Sequence, residues 1–71
     1  MTAQCDGKKT SWPELLHKDW FTAVNTIASE NSLVSAVVVP ENSVVTDDFI
    51  CARVRVWVDK EGKVTMVPKV G

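Results

Sequence analysis

The sequence predicts an α+β fold, with one helix packed on a small mixed sheet and a long exposed loop. Three observations predict it. Apolar residues recur at helical spacing from about Trp20 to Asn31. A run of branched residues, Val34 and Val37 to Val39, reads as a buried strand. From Cys51 the chain alternates: Ala52, Val54, Val56 and Val58 point one way, and Arg53, Arg55 and Trp57 the other.

Taken in order, residues 1–10 read as a flexible N-terminal arm and residues 11–71 as a single domain. Ser11-Trp12-Pro13-Glu14-Leu15 opens the ordered part. Ser11 could cap a short turn, Pro13 suits an early turn position, and Trp12 and Leu15 can be buried together. Asp19 is a good N-cap for the helix, on which Trp20, Ala23 and Ile27 recur at helical spacing. Phe21 and Val24 widen its apolar face beyond what one core requires. The strand Leu33–Val39 is broken by Pro40-Glu41-Asn42-Ser43. After the alternating strand, Asp59-Lys60-Glu61-Gly62 forms a turn, with Gly62 fit for a left-handed position. Lys63 to Val67 reads as a short return strand ended by Pro68.

The chain has 71 residues, 45% of them apolar and 24% charged, which is globular rather than disordered. A chain this short buries only about 60% of its unfolded surface, so its core is modest. The net charge of −1 leaves no basic excess for a phosphate backbone, which argues against nucleic acid as a partner. No stretch approaches the ~18–20 apolar residues of a membrane span, and Met1 to Thr10 lacks an apolar signal segment. The two cysteines, Cys5 and Cys51, are on composition alone equally consistent with free thiols and with a disulfide.

Chemistry-bearing clusters are scarce. His17 is the single histidine, and neither Ser11 nor Ser43 stands at a recognisable nucleophile–base spacing from it. Cys5, Cys51 and His17 are too few, and too far apart in sequence, for a metal site. No enzyme activity, cofactor or metal is expected. The informative feature is the connection between the first two strands. About eleven residues are too few for a packed crossover helix, yet apolar and branched enough to be ordered, and such a loop is usually functional. Beyond it, Arg53 and Arg55 project from one face of a strand. Their planar forks suit carboxylate and carbonyl acceptors.

Several segments together resemble the potato inhibitor I family of serine-protease inhibitors. They are Ser11-Trp12-Pro13-Glu14-Leu15, Val45-Thr46, Arg53-Val54-Arg55-Val56-Trp57-Val58-Asp59-Lys60 and Val67-Pro68-Lys69-Val70-Gly71. The resemblance implies a serine protease as partner, bound through residues 44–50, which enter the active site as a substrate would. The implied reactive-site loop is Val45, Thr46, Asp47, Asp48, Phe49 and Ile50, with the scissile bond between Asp47 and Asp48. Arg53 and Arg55 match arginines that reach back under the loop toward Thr46 and Asp48. Cys51 matches a position that pairs with an N-terminal cysteine in related members, which implies a Cys5–Cys51 disulfide. A monomer is expected. The compartment implied is extracellular or vacuolar, and the lack of a signal segment leaves the cytoplasm open.

The chain departs from the family pattern at Asp47, where members usually carry Met, Leu, Lys or Arg. An aspartate meets repulsion in a pocket built around a carboxylate. The expected targets are therefore proteases that cleave after acidic residues, or subtilisin-like enzymes with open clefts. Ile50 and Ala52 replace polar residues that could brace the loop. The competing reading is a non-inhibitory binding module on the same scaffold, contacting partners through Trp20, Phe21 and Val24.

Overall fold

The computed structural model describes residues 9–71. Cys5 and most of the expected arm lie outside these residues. A short 3-10 turn, Pro13–Leu15, is followed by helix α1, Trp20–Glu30, and strands β1, Ser35–Pro40, β2, Arg53–Val58, and β3, Lys69–Val70. The sheet order is β1-β2-β3, with β1 parallel to β2 and β2 antiparallel to β3. The predicted α+β class with a mixed sheet is the observed one.

Local chemistry sets the helix ends. Asp19 caps α1, its carboxylate accepting the Thr22 N–H at 2.9 Å. Asn31 follows as the C-cap rather than a helical residue. It is buried, and its amide donates to the Lys9 carbonyl at 2.9 Å and accepts the Leu33 N–H at 3.0 Å. Thr10 accepts the Val70 N–H, and Lys9 pairs with both Glu14 and Glu30. The last two residues of the expected arm are thus fastened to the body.

One face of the sheet packs on α1. Trp12, Leu15, Ala23, Ile27, Val54, Val56, Val58, Val64 and Val70 form the core, each branched side chain there contributing roughly 1.5–3 kcal/mol. Trp12 is fully buried, and its indole N–H donates to Glu30 Oε1 at 2.8 Å.

Four sequence expectations are corrected. Trp20 is not a core residue: it is 45% exposed and stacks edge-on against Phe21, with centroids 5.6 Å apart. The helix has room for only Ala23 and Ile27 beneath it. Among the described residues β1 is an edge strand with no strand along its outer side, and its valines are largely exposed, Val39 excepted. Ala52 lies exposed in the turn before β2. The return strand is reduced to single bridges at Lys63 and Val64, and the strand that pairs with β2 is Lys69–Val70, beyond Pro68.

Candidate functional site

Twelve residues, 41–52, join β1 to β2. Because the two strands are parallel, this connection must return to the starting end of the sheet. The face packed on α1 is occupied by Val54, Val56 and Val58, so Arg53, Arg55 and Trp57 stand on the opposite one. The bonds made by both arginines tie the loop to that second face.

The turn out of β1 is tight: Asn42 adopts a φ of +68, and the Ser43 N–H returns to the Pro40 carbonyl. Residues 44–50 are then exposed without exception, Val44 almost completely at 98%. The four residues Thr46, Asp48, Arg53 and Arg55 meet at one carboxylate oxygen. Asp48 Oδ1 accepts from the Thr46 hydroxyl at 2.6 Å, from Arg53 Nη2 at 3.1 Å and from Arg55 Nη2 at 3.2 Å. Arg55 Nη2 also donates to the Thr46 carbonyl at 3.0 Å, and Arg53 Nη2 to the Asp48 carbonyl at 3.1 Å. Charge-assisted bonds of this kind are roughly twice as strong as neutral ones. The Thr46 hydroxyl first, and then Arg53, hold the Asp48 carboxyl down to about 2 from its ordinary 3.8.

Asp47 stands between these two fastened neighbours. Its side chain is exposed and makes no hydrogen bond or ion pair among the described residues. Val45 is the least exposed of the loop's valines, at 36%. Ile50 is held through its backbone, its N–H donating to Gly71 O at 3.2 Å and its carbonyl accepting the Arg53 N–H.

Gly71 is the participant that sequence reasoning missed. Its carbonyl oxygen accepts Arg53 Nε at 2.9 Å, and its N–H donates to the Arg53 carbonyl at 3.0 Å. A Cβ at Gly71 would stand 3.4 Å from the Phe49 ring. Read from the sequence, the last strand ends at Pro68, and nothing in the sequence ties Gly71 to the loop.

Cys51 sits half-buried in the turn before β2 and is not a free thiol; its expected partner, Cys5, lies outside the described residues. His17 is exposed, with a φ of +72. Among the described residues no group of three or more His, Cys, Asp or Glu could hold a metal ion. No helix there is long and apolar enough to cross a membrane.

Both the sequence and the fold have counterparts among known proteins. Residues 3–71 match the Potato inhibitor I family. The chain belongs to that family. It is 46% identical over 69 residues to the Glu S.griseus protease inhibitor of Momordica charantia, covering 97% of this chain and 100% of that one. To the inhibitor of trypsin and hageman factor of Cucurbita maxima it is 42% identical, with the same coverage. Its fold is similar to the crystal structure of bitter gourd trypsin inhibitor, with a TM-score of 0.92 at 42% identity over 97% of this chain and 100% of that one. The chain is thus a member of a family of protease inhibitors, and not an enzyme.

Proposed function

We propose that the chain inhibits serine proteases as a monomer, by substrate-like binding through residues 44–50, with Asp47–Asp48 as the bond offered for cleavage. Val45, Thr46, Asp47, Asp48, Phe49 and Ile50 form the contact segment, and Arg53 and Arg55 brace it. One observation carries this reading: both neighbours of Asp47 are anchored to strand residues, while the Asp47 side chain makes no hydrogen bond or ion pair among the described residues. A segment already ordered loses little entropy on docking. If the bond opens, Arg55 still holds Thr46 on one side and Arg53 still holds Asp48 on the other. The new ends stay together, and resealing competes with release.

The side chain at Asp47 selects the target. Burying a carboxylate is costly unless the pocket supplies cations or donors. We assign the inhibitor to proteases that cleave after acidic residues, with open-cleft subtilisin-like enzymes as a second class. The Momordica charantia relative named for a Glu S.griseus protease supports this choice, as does the Canavalia lineata relative named as a subtilisin inhibitor, 45% identical over 64 residues. A Cys5–Cys51 disulfide closing the region behind the loop belongs to the same proposal, and with it an extracellular or vacuolar setting.

The test is a titration against a glutamate-selective endopeptidase, subtilisin and trypsin, with mass spectrometry of the products. Stoichiometric inhibition of the first two, with one slow cut between Asp47 and Asp48, is expected. Rapid multiple cleavage, or inhibition of trypsin alone, refutes it.

A further inference from the structure

Behind the second half of the loop lies an open-sided groove of about 290 Å³. Asp48 and Phe49 form its wall on the loop side, and Arg55, Trp57, Met66 and Lys69 its wall on the body. Two features of it are unexplained by the loop. Met66, outside the loop, presents large apolar surface to solvent, 55% exposed, beside the loop's own Phe49. Arg55 and Lys69 are register partners on β2 and β3, so their side chains stand beside each other on one face. Like charges directly opposite on a sheet are unfavourable. Asp48 is shared between Arg53 and Arg55 and does not reach Lys69, which has no ion pair among the described residues.

We propose that this groove is a second contact surface for the same protease. It would receive an acidic side chain, flanked by apolar ones, from a protease surface loop beside the active-site cleft. The proposal rests on the inhibitory reading above. Continuity with that interface argues for the protease rather than another occupant. A protease that grips the bond before Asp48 must run alongside Phe49, and Phe49 is the groove's lip. The charge also fits, because an acidic side chain would relieve the Arg55–Lys69 repulsion. Trp, Met and Arg are residue types enriched at interface centres. Trp57 lies within β2 and Lys69 within β3, so the wall is ordered before binding. Met66 can adapt its shape to what enters. The groove would then discriminate between proteases whose primary pockets are alike.

The experiment uses the full chain with Lys69→Met and Met66→Ser, the first keeping an apolar stem and adding no charge that could draw Arg55 away. Association and dissociation rates are measured against a glutamate-selective endopeptidase and subtilisin at low and high salt. Thermal unfolding and the cleavage rate of the Asp47–Asp48 bond serve as controls. For at least one protease, Lys69→Met should slow association about 5-fold at low salt, with the difference shrinking as salt rises. Met66→Ser should speed dissociation about 10-fold. The cleavage rate should stay at its wild-type value. Met66→Ser should unfold as wild type does, and Lys69→Met at the same temperature or slightly higher, since it removes the repulsion from Arg55.

If wild type inhibits and both variants match it within about 2-fold, the groove contact is overturned while the inhibitory reading stands. Wild type that inhibits neither protease removes both. Altered cleavage in the variants would make the groove part of the loop's own support, which also overturns the contact. Self-association of wild type that Met66→Ser abolishes, with inhibition unchanged, would assign the groove to a second copy instead.

Discussion

Arg53 and Gly71 are joined three times: Arg53 Nε and Nη2 donate to Gly71 O at 2.9 and 2.5 Å, and the Gly71 N–H donates to the Arg53 carbonyl at 3.0 Å. The same guanidinium reaches Asp48. Arg53 is therefore a strut between the loop and the segment that follows β3, whereas among the described residues Arg55 reaches only the loop, at Thr46 and Asp48. The two arginines divide the loop at Asp47: Arg55 secures the residue before it, and both secure the residue after it.

That division makes Arg53→Ala and Arg55→Ala unequal. Arg55→Ala removes partly exposed contacts and should cost about 1 kcal/mol, lowering Tm by about 4–8 °C in a domain of this size. Arg53→Ala also strips the Gly71 carbonyl of its charged donor and should cost about 2 kcal/mol. Both should raise the cleavage rate of the Asp47–Asp48 bond 10-fold or more, since a loosened end escapes resealing. Because both side chains share Asp48 Oδ1, the double variant should be non-additive. Calorimetry beside a cleavage time course checks this. A fall in stability with unchanged cleavage counts against the bracing role.

The acid response of the loop follows from Asp48. Its folded pKa, about 2, lies below the ordinary 3.8. A depressed carboxyl stabilises the folded state above its unfolded value, and the contribution is lost as pH falls from near 3.8 through about 2. The loop should thus stay fastened at pH 4 to 5, where an unsupported aspartate begins to protonate. Since the Thr46 hydroxyl is the foremost cause of the shift, Thr46→Val should move the Asp48 titration upward, toward 3.8. Carbon-detected NMR titration of the Asp48 carboxyl measures it directly. An unmoved midpoint in Thr46→Val would assign the shift to the arginines instead.

Much of this was legible in the residues, for physical reasons that also explain the failures. The strand Arg53–Val58 announced itself because one face is buried and the other polar, so its period of two survives in the composition. Asp19 was legible as a cap because its chemistry is local. Val37 and Val38 misled because a short apolar run looks the same in a buried strand as in an exposed edge; only the missing neighbour on β1's outer side decides it. Trp20 misled because helical spacing gives an angle and not a depth. Gly71 and the groove depend on residues far apart in sequence meeting at one place, which periodicity does not encode.

Gly62 gives a check on stability apart from the loop. Its φ is +79, and a Cβ there would sit 2.9 Å from Trp20 Cδ1. Gly62→Ala should therefore cost roughly 1–3 kcal/mol, from the left-handed backbone and the displaced indole. Denaturant unfolding followed by tryptophan fluorescence measures it. A neutral result would mean the turn and Trp20 shift together without strain.

Asp47 is the position where identity and stability should separate most cleanly. Its side chain is exposed and makes no hydrogen bond among the described residues, so Asp47→Lys and Asp47→Leu should each change stability by less than about 0.5 kcal/mol. Their effect on targets should be large, because in the proposed binding mode the side chain enters the primary pocket, where a mismatched charge is left buried and unpaired. Asp47→Lys should gain trypsin-like proteases, whose pocket carboxylate it would pair with, and lose acid-selective ones by 100-fold or more. Asp47→Leu should favour subtilisin-like enzymes and lose the acid-selective class as well. Inhibition constants for the three chains against the three enzymes check the exchange. If all three chains inhibit the same proteases equally well, the bond presented to the enzyme is not the one after residue 47. The single cut would then have to be sought elsewhere in residues 44–50.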